Sequence, residues 1–158
     1  MDRYHWLLVF HIAGALLLLG GAVFAGILNT AALRRERPSE IVVLYRLARI
    51  AVTAISVGMP LALIFGIWLV ADLDFVKWSN TWVVLALIGW VLAGALGGIG
   101  GRREKETRLL AERLAAEGDA PSPELQARMR DPLTLALSWG GGLVVVAILA
   151  LMIWKPGH

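Results

Sequence analysis

The stretch that decides the fold is YHWLLVFHIAGALLLLGGAVFAGILNTAAL, residues 4–33. It contains no Asp, Glu, Lys or Arg. As a helix rising 1.5 Å per residue it reaches about 45 Å, more than the roughly 30 Å hydrocarbon core of a bilayer. It therefore reads as a membrane span with length to spare. Its only ionisable side chain at bilayer depth is His11. At 100° per residue, Gly14, Ala15, Leu18, Ala22, Ala25, Gly26 and Asn29 share the His11 side, with Asn29 directly in line five turns on. Val9, Leu16, Val23, Phe24 and Ile27 lie opposite. Small residues mark close helix contact in membranes, and polar groups avoid lipid. The spacing thus turns the His11, Gly14 and Asn29 face toward other helices.

Bulk composition supports this reading. Of 158 residues, 58% are hydrophobic and 17% charged, and the mean hydropathy is +0.71. That is too apolar for a water-soluble domain of this size. The absence of cysteine removes disulfides, thiolate metal sites and cysteine nucleophiles. The first three residues carry no net side-chain charge, and the apolar run is longer than a signal-peptide core, so the first helix is expected to stay in the protein. A net charge of +3 and a pI near 9.8 raise nucleic acid as a partner, but the placement of the basic residues speaks for membrane orientation instead.

Three further uncharged runs follow: 50–71, 78–101 and 132–154. The second span is expected to start before its apolar part, near Ser39 as N-cap, giving spans of about 4–33, 41–71, 78–101 and 132–154 and a helical connection over 102–131. The first connection and its flanks hold Arg34, Arg35, Arg37, Arg46 and Arg49. The third holds Arg102, Arg103, Lys105, Arg108, Arg113, Arg128 and Arg130. Only Arg3, Lys77 and Lys155 lie on the other side. The positive-inside rule then places both termini outside and both basic connections in the cytoplasm. Trp6, Trp68, Trp78, Trp82 and Trp154 fall at the outer boundary, where an aromatic belt forms. The expectation is a single all-α domain, a four-helix up-down bundle with both termini out, multi-pass in a bacterial inner membrane.

Within the spans, Arg46, Arg49, Thr53, Ser56 and Pro60 follow at three- and four-residue steps and form one polar stripe on the second helix. The third helix carries Gly89, Ala93, Gly97 and Gly101 at four-residue intervals, a pattern that allows close helix contact and weakens the helix toward its end. Residues 103–117 form a helix-prone charged stretch with Leu109, Leu110 and Leu114 along one edge. The segment Gly118–Pro123 ends it. Ser122-Pro123 and Asp131-Pro132 read as caps with proline in the first turn.

Candidate chemistry centres on His11. A neutral imidazole at that depth can ligate haem iron, copper or zinc, or make a hydrogen bond across helices. The other histidines, His5 and His158, lie on another face of the first helix and at the end of the chain. Tyr4, His5, Asp72 and Asp74 form a weak outer metal candidate, and Met59 with Met152 a weak Cu(I) pair. Arg34, Arg35, Arg46, Arg49, Arg102 and Arg103 serve either topology or anionic headgroups. No phosphate loop, serine-histidine-acid set or acidic cluster within the bilayer is present. A transporter is disfavoured because no charged or broken-helix site lies at the midplane.

The opening Tyr4-x-Trp6-Leu7-x-x-x-His11, with Gly20-Gly21 and an Arg-rich inner turn, resembles a bacterial family of four-helix predicted integral membrane proteins of unknown function. The Trp6-Leu7-x-x-x-His11 pattern is also similar to the first helices of the copper-resistance D family and of haem-dependent protoporphyrinogen oxidases. That resemblance makes His11 the match to the family histidine and implies haem b or copper as the alternative cofactor. The residues themselves favour a non-catalytic binding, accessory or assembly protein without a cofactor, with membrane lipids and a homo-oligomer or larger membrane complex as partners.

Overall fold

A computed structural model describes residues 2–72 and 76–156. Among these described residues there are five helices: α1 (Arg3–Ala32), α2 (Pro38–Asp72), α3 (Thr81–Ala116), α4 (Pro123–Met129) and α5 (Pro132–Trp154). No strand occurs among the described residues. The four long helices have the length and hydropathy of membrane spans. Asp74 and His158 lie outside the described residues; of the outer metal candidate, Asp72 pairs with Arg3 at 2.8 Å, and the Tyr4 and His5 rings meet edge to face.

The helices pack as two hairpins, α1 on α2 and α3 on α5, which touch each other more thinly. In α1 the buried residues Leu7, Gly14, Gly21 and Leu28 recur every seven positions, with Ala32 beyond them. Ile41, Ala48 and Leu69 of α2 keep the same repeat. A seven-residue repeat holds a contact seam only if two helices supercoil left-handedly. Glycine makes the seam tight. A Cβ on Gly14 would stand 2.5 Å from the Ala62 nitrogen, and one on Gly58 would stand 2.7 Å from the Gly14 carbonyl oxygen. The two backbones are in direct contact there, which is how helices associate where water supplies no driving force.

The third helix differs from its sequence pattern. It runs unbroken for 36 residues, so the span and the charged stretch are one rod about 54 Å long. Gly89 packs closely, 2.8 Å from Ile148 if given a Cβ, and Ala93 is buried. At Gly97 and Gly101 a Cβ meets nothing within 4 Å. The expected seam therefore stops near Ala93, because below that point α5 meets α3 on another face, with Leu137 beside Gly100 and Leu96 beside Gly140. Beyond it, Thr107 and Ala111 are the buried positions while Leu109 faces out.

Past the spans, the end of α1, the start of α2, the extension of α3 and the short α4 enclose a second core. Ile41, Ala111 and Leu125 are fully buried there beside Ala32, Tyr45 and Met129. Ser122 and Asp131 cap α4 and α5 through the Leu125 and Thr134 amides, each with proline in the first turn. Ser39 is not itself the N-cap of α2, since the helix already begins at Pro38. At the opposite end, Trp6, Phe10, Phe65 and Trp68 stack in series. The Arg3 guanidinium lies over the Trp68 ring. These rings bridge the start of α1 and the end of α2.

Candidate functional site

His11 sits in the α1/α2 seam. Its Nδ1 is 2.8 Å from the Ala62 carbonyl oxygen. A carbonyl only accepts, so Nδ1 carries a proton, and in the neutral ring the lone pair is on Nε2. The ring lies against Gly66, where a Cβ would come within 3.0 Å of both Cε1 and Nδ1. Gly66 is thus the space the imidazole occupies, a signal readable only once the helix register is known. No group of three His, Cys, Asp or Glu among the described residues is placed to hold a metal. Among the described residues His11 is the one histidine in the seam, so these donors do not make a bis-histidine iron site within one chain. Met59, offered as a copper ligand, has its methyl against Gly94 of α3.

Asn29 does not share the environment of His11. Eighteen residues are five full turns of a straight helix, yet along a seven-residue repeat they drift about 50° off the seam. That drift carries Asn29 around to the gap between the hairpins. It lines a cleft of about 600 Å³ bounded by α1, α5 and the α4 end of α3. The volume lies within the 300–1,000 Å³ of ordinary small-molecule sites.

The cleft is graded in polarity. Toward the middle of the bundle its walls are Leu19, Val23, Leu143 and Val146. Toward the α4 end they are Asn29, Arg34, Tyr45, Glu104, Thr107 and Thr134. Gly26 and Gly142 keep it open, since a Cβ on either meets nothing within 4 Å. Most hydroxyl protons at the polar end are committed. Thr30 donates to the Gly26 carbonyl, Thr107 to that of Arg103, and Thr134 to the Asp131 carboxylate. The Asn29 Oδ1 is buried and accepts nothing. Glu104 lies past Gly101, where the uncharged run ends; burial raises its carboxyl pKa against a lowering pull from Arg108. The charged groups at the polar end are Glu104 and Arg34, and neither makes an ion pair among the described residues. Sequence reasoning had no signal for Glu104, one acid among many in a charged stretch.

The basic residues divide. Arg103 donates to Asp131 at 2.8 Å and to Thr134 at 3.2 Å, tying α3 to the first turn of α5. Arg46 approaches Glu112 at 3.8 Å, and Arg35 approaches Glu40 at 3.4 Å. Arg34, Arg49 and Arg102 make no ion pair among the described residues. The polar stripe of α2, from Arg46 through Thr53 to Pro60, faces outward along its whole length.

Comparison with curated proteins and with solved structures returns no match. A family model described as "Predicted integral membrane protein (DUF2269)" matches residues 5–156, almost the whole chain. The chain belongs to this family of integral membrane proteins.

Proposed function

We propose that this protein acts by binding rather than by catalysis, as an accessory or assembly component of a bacterial cytoplasmic membrane, alone or as a homo-oligomer. Both termini face outward and the α4 end lies in the cytoplasm, a reading carried by the placement of its arginines. The observation that carries the binding role is the cleft left between two hairpins that touch each other more thinly than the helices within each. A bundle optimised only for its own packing closes such a gap. The threonines at its polar end are spent on internal acceptors, which suits holding a molecule better than transforming one. Native mass spectrometry of the protein released from mild detergent tests this. The expected result is a retained small molecule, a second copy or another membrane chain. A bare monomer under conditions that preserve known membrane complexes overturns it.

A second reading has one observation in its favour. The Nδ1–H bond to Ala62 fixes the His11 tautomer and leaves Nε2 able to ligate a metal, the way a backbone carbonyl orients a metal-binding histidine through its other ring nitrogen. It requires a second copy to complete a bis-histidine site. The absorbance spectrum of the purified protein decides between the two.

A further inference from the structure

We propose that the cleft holds one aminophospholipid of the adjoining leaflet, with an acyl chain along Leu19, Val23 and Val146, the ammonium at Glu104, and the phosphate at Arg34. The proposal rests on the binding role above and names its ligand.

Length comes first. From Leu19 to its end at Ala32 the α1 wall rises about 20 Å, and from Thr134 to Val146 the α5 wall about 18 Å. One leaflet contributes roughly half of the 30 Å hydrocarbon core. The slot therefore runs from headgroup level to the midplane, and its polarity changes in the same direction as that of a lipid. It opens sideways between α1 and α5, so a second acyl chain stays in the bilayer.

Hydrogen bonding then selects the head. The polar end offers one carboxyl, Glu104, and one guanidinium, Arg34, neither in an ion pair among the described residues. An ammonium supplies three donors and a positive charge. It would stabilise the charged form of Glu104, which burial disfavours. Arg34 stands at the mouth without a carboxylate partner and suits the phosphate. An anionic head such as phosphatidylglycerol would meet Arg34 equally well but would leave Glu104 without a cation.

The test uses delipidated full-length protein in detergent, titrated with phosphatidylethanolamine and with phosphatidylglycerol bearing the same acyl chains. Bound lipid is counted by native mass spectrometry. Wild type is expected to keep one phosphatidylethanolamine per chain and to prefer it about tenfold, the scale of one hydrogen bond to a charged group. Glu104→Gln should erase that preference while leaving phosphatidylglycerol binding unchanged. Gly26→Phe and Gly142→Phe each put a ring into the open slot and should weaken both lipids. Equal binding of the two lipids by wild type, or a preference that survives Glu104→Gln, overturns the proposal. Retention of some other native molecule overturns the lipid assignment and leaves the binding role standing. Retention of no ligand and no partner chain overturns both.

Discussion

The carboxylate of Asp119 accepts the backbone N–H and the hydroxyl of Ser39, each at 2.7 Å, across eighty residues of sequence. Ser39 is the second residue of α2, and its amide is one that no intrahelical carbonyl can reach. Asp119 caps that helix from another part of the chain. It can do so because α3 ends in a Schellman turn, with Gly118 at φ +119° and the Asp119 amide donating to the Leu114 carbonyl. Asp119 itself sits at φ +57°, which Asp tolerates better than most residues. Asp119→Ala is expected to lower the thermal midpoint in detergent, and Ser39→Ala to add little on top of it. Additive losses from the two substitutions would show that the contact is not formed.

The same pair sets a pH dependence. Both Ser39 hydrogen bonds hold the Asp119 carboxyl below its ordinary pKa of 3.8. A depressed folded-state pKa stabilises the fold above the unfolded value, and the contribution disappears as pH falls through the folded one. Wild type and Asp119→Asn should therefore converge in stability below about pH 3.8 and differ at neutral pH. A gap that stays constant from neutral pH down to pH 3 excludes a charged cap.

The α1/α2 seam and the lower part of α3 make opposite predictions for glycine. Gly58→Leu forces atoms into the Leu18 nitrogen and the Gly14 carbonyl. It should cost at least the roughly 1–3 kcal/mol of core overpacking, because backbone cannot move aside as a side chain does. Gly97→Leu, whose Cβ meets nothing within 4 Å, should leave the thermal midpoint nearly unchanged. If Gly97→Leu proves the more damaging, a partner covers that face.

Much of this arrangement is legible in the sequence, and the limits are physical. Uncharged runs give the four spans directly, since a bilayer excludes charge. Ser122-Pro123 and Asp131-Pro132 reveal their helix starts because capping is local. The lower α3 ladder misleads because small residues permit contact without requiring it. Asn29 misleads because phasing assumes a straight helix, whereas α1 supercoils with α2. Glu104 and Asp119 matter through neighbours that only the tertiary structure supplies.

Orientation is open to cysteine labelling, since the chain has no native thiol. Ala120 is exposed and suits the inner site better than its neighbour Asp119, which is engaged with Ser39. Ser79, exposed in the α2–α3 connection, serves the outer one. An impermeant maleimide on intact spheroplasts should label position 79 and spare 120. Labelling of 120 alone inverts the topology.

His11 separates the two functional readings. As an interhelical donor to Ala62, it should be replaced well by Gln, since hydrogen bonds within bilayers average about 0.6 kcal/mol. The wild type is then colourless and His11→Gln folds in similar yield. Gly66→Ala should harm wild type more than His11→Ala, because its methyl clashes with the imidazole. A stoichiometric Soret band that vanishes in His11→Gln, with helicity retained, promotes the haem reading instead.

Glu104 gives the last prediction, with the opposite sign from Asp119. Burial raises its folded-state pKa above 4.5, and Arg108 opposes the rise only in part. The folded protein thus binds this proton more tightly than the unfolded chain. The destabilisation is absent below the unfolded value and develops as pH climbs through the folded one. In lipid-free detergent, Glu104→Gln should match wild type near pH 4 and exceed it in thermal midpoint at pH 8. Adding phosphatidylethanolamine should narrow the pH 8 gap, because an ammonium stabilises the carboxylate but gains little from the amide. Phosphatidylglycerol should leave the gap as it was. A Glu104→Gln variant less stable than wild type at pH 8 without lipid would show that the carboxylate already has a cation within the chain.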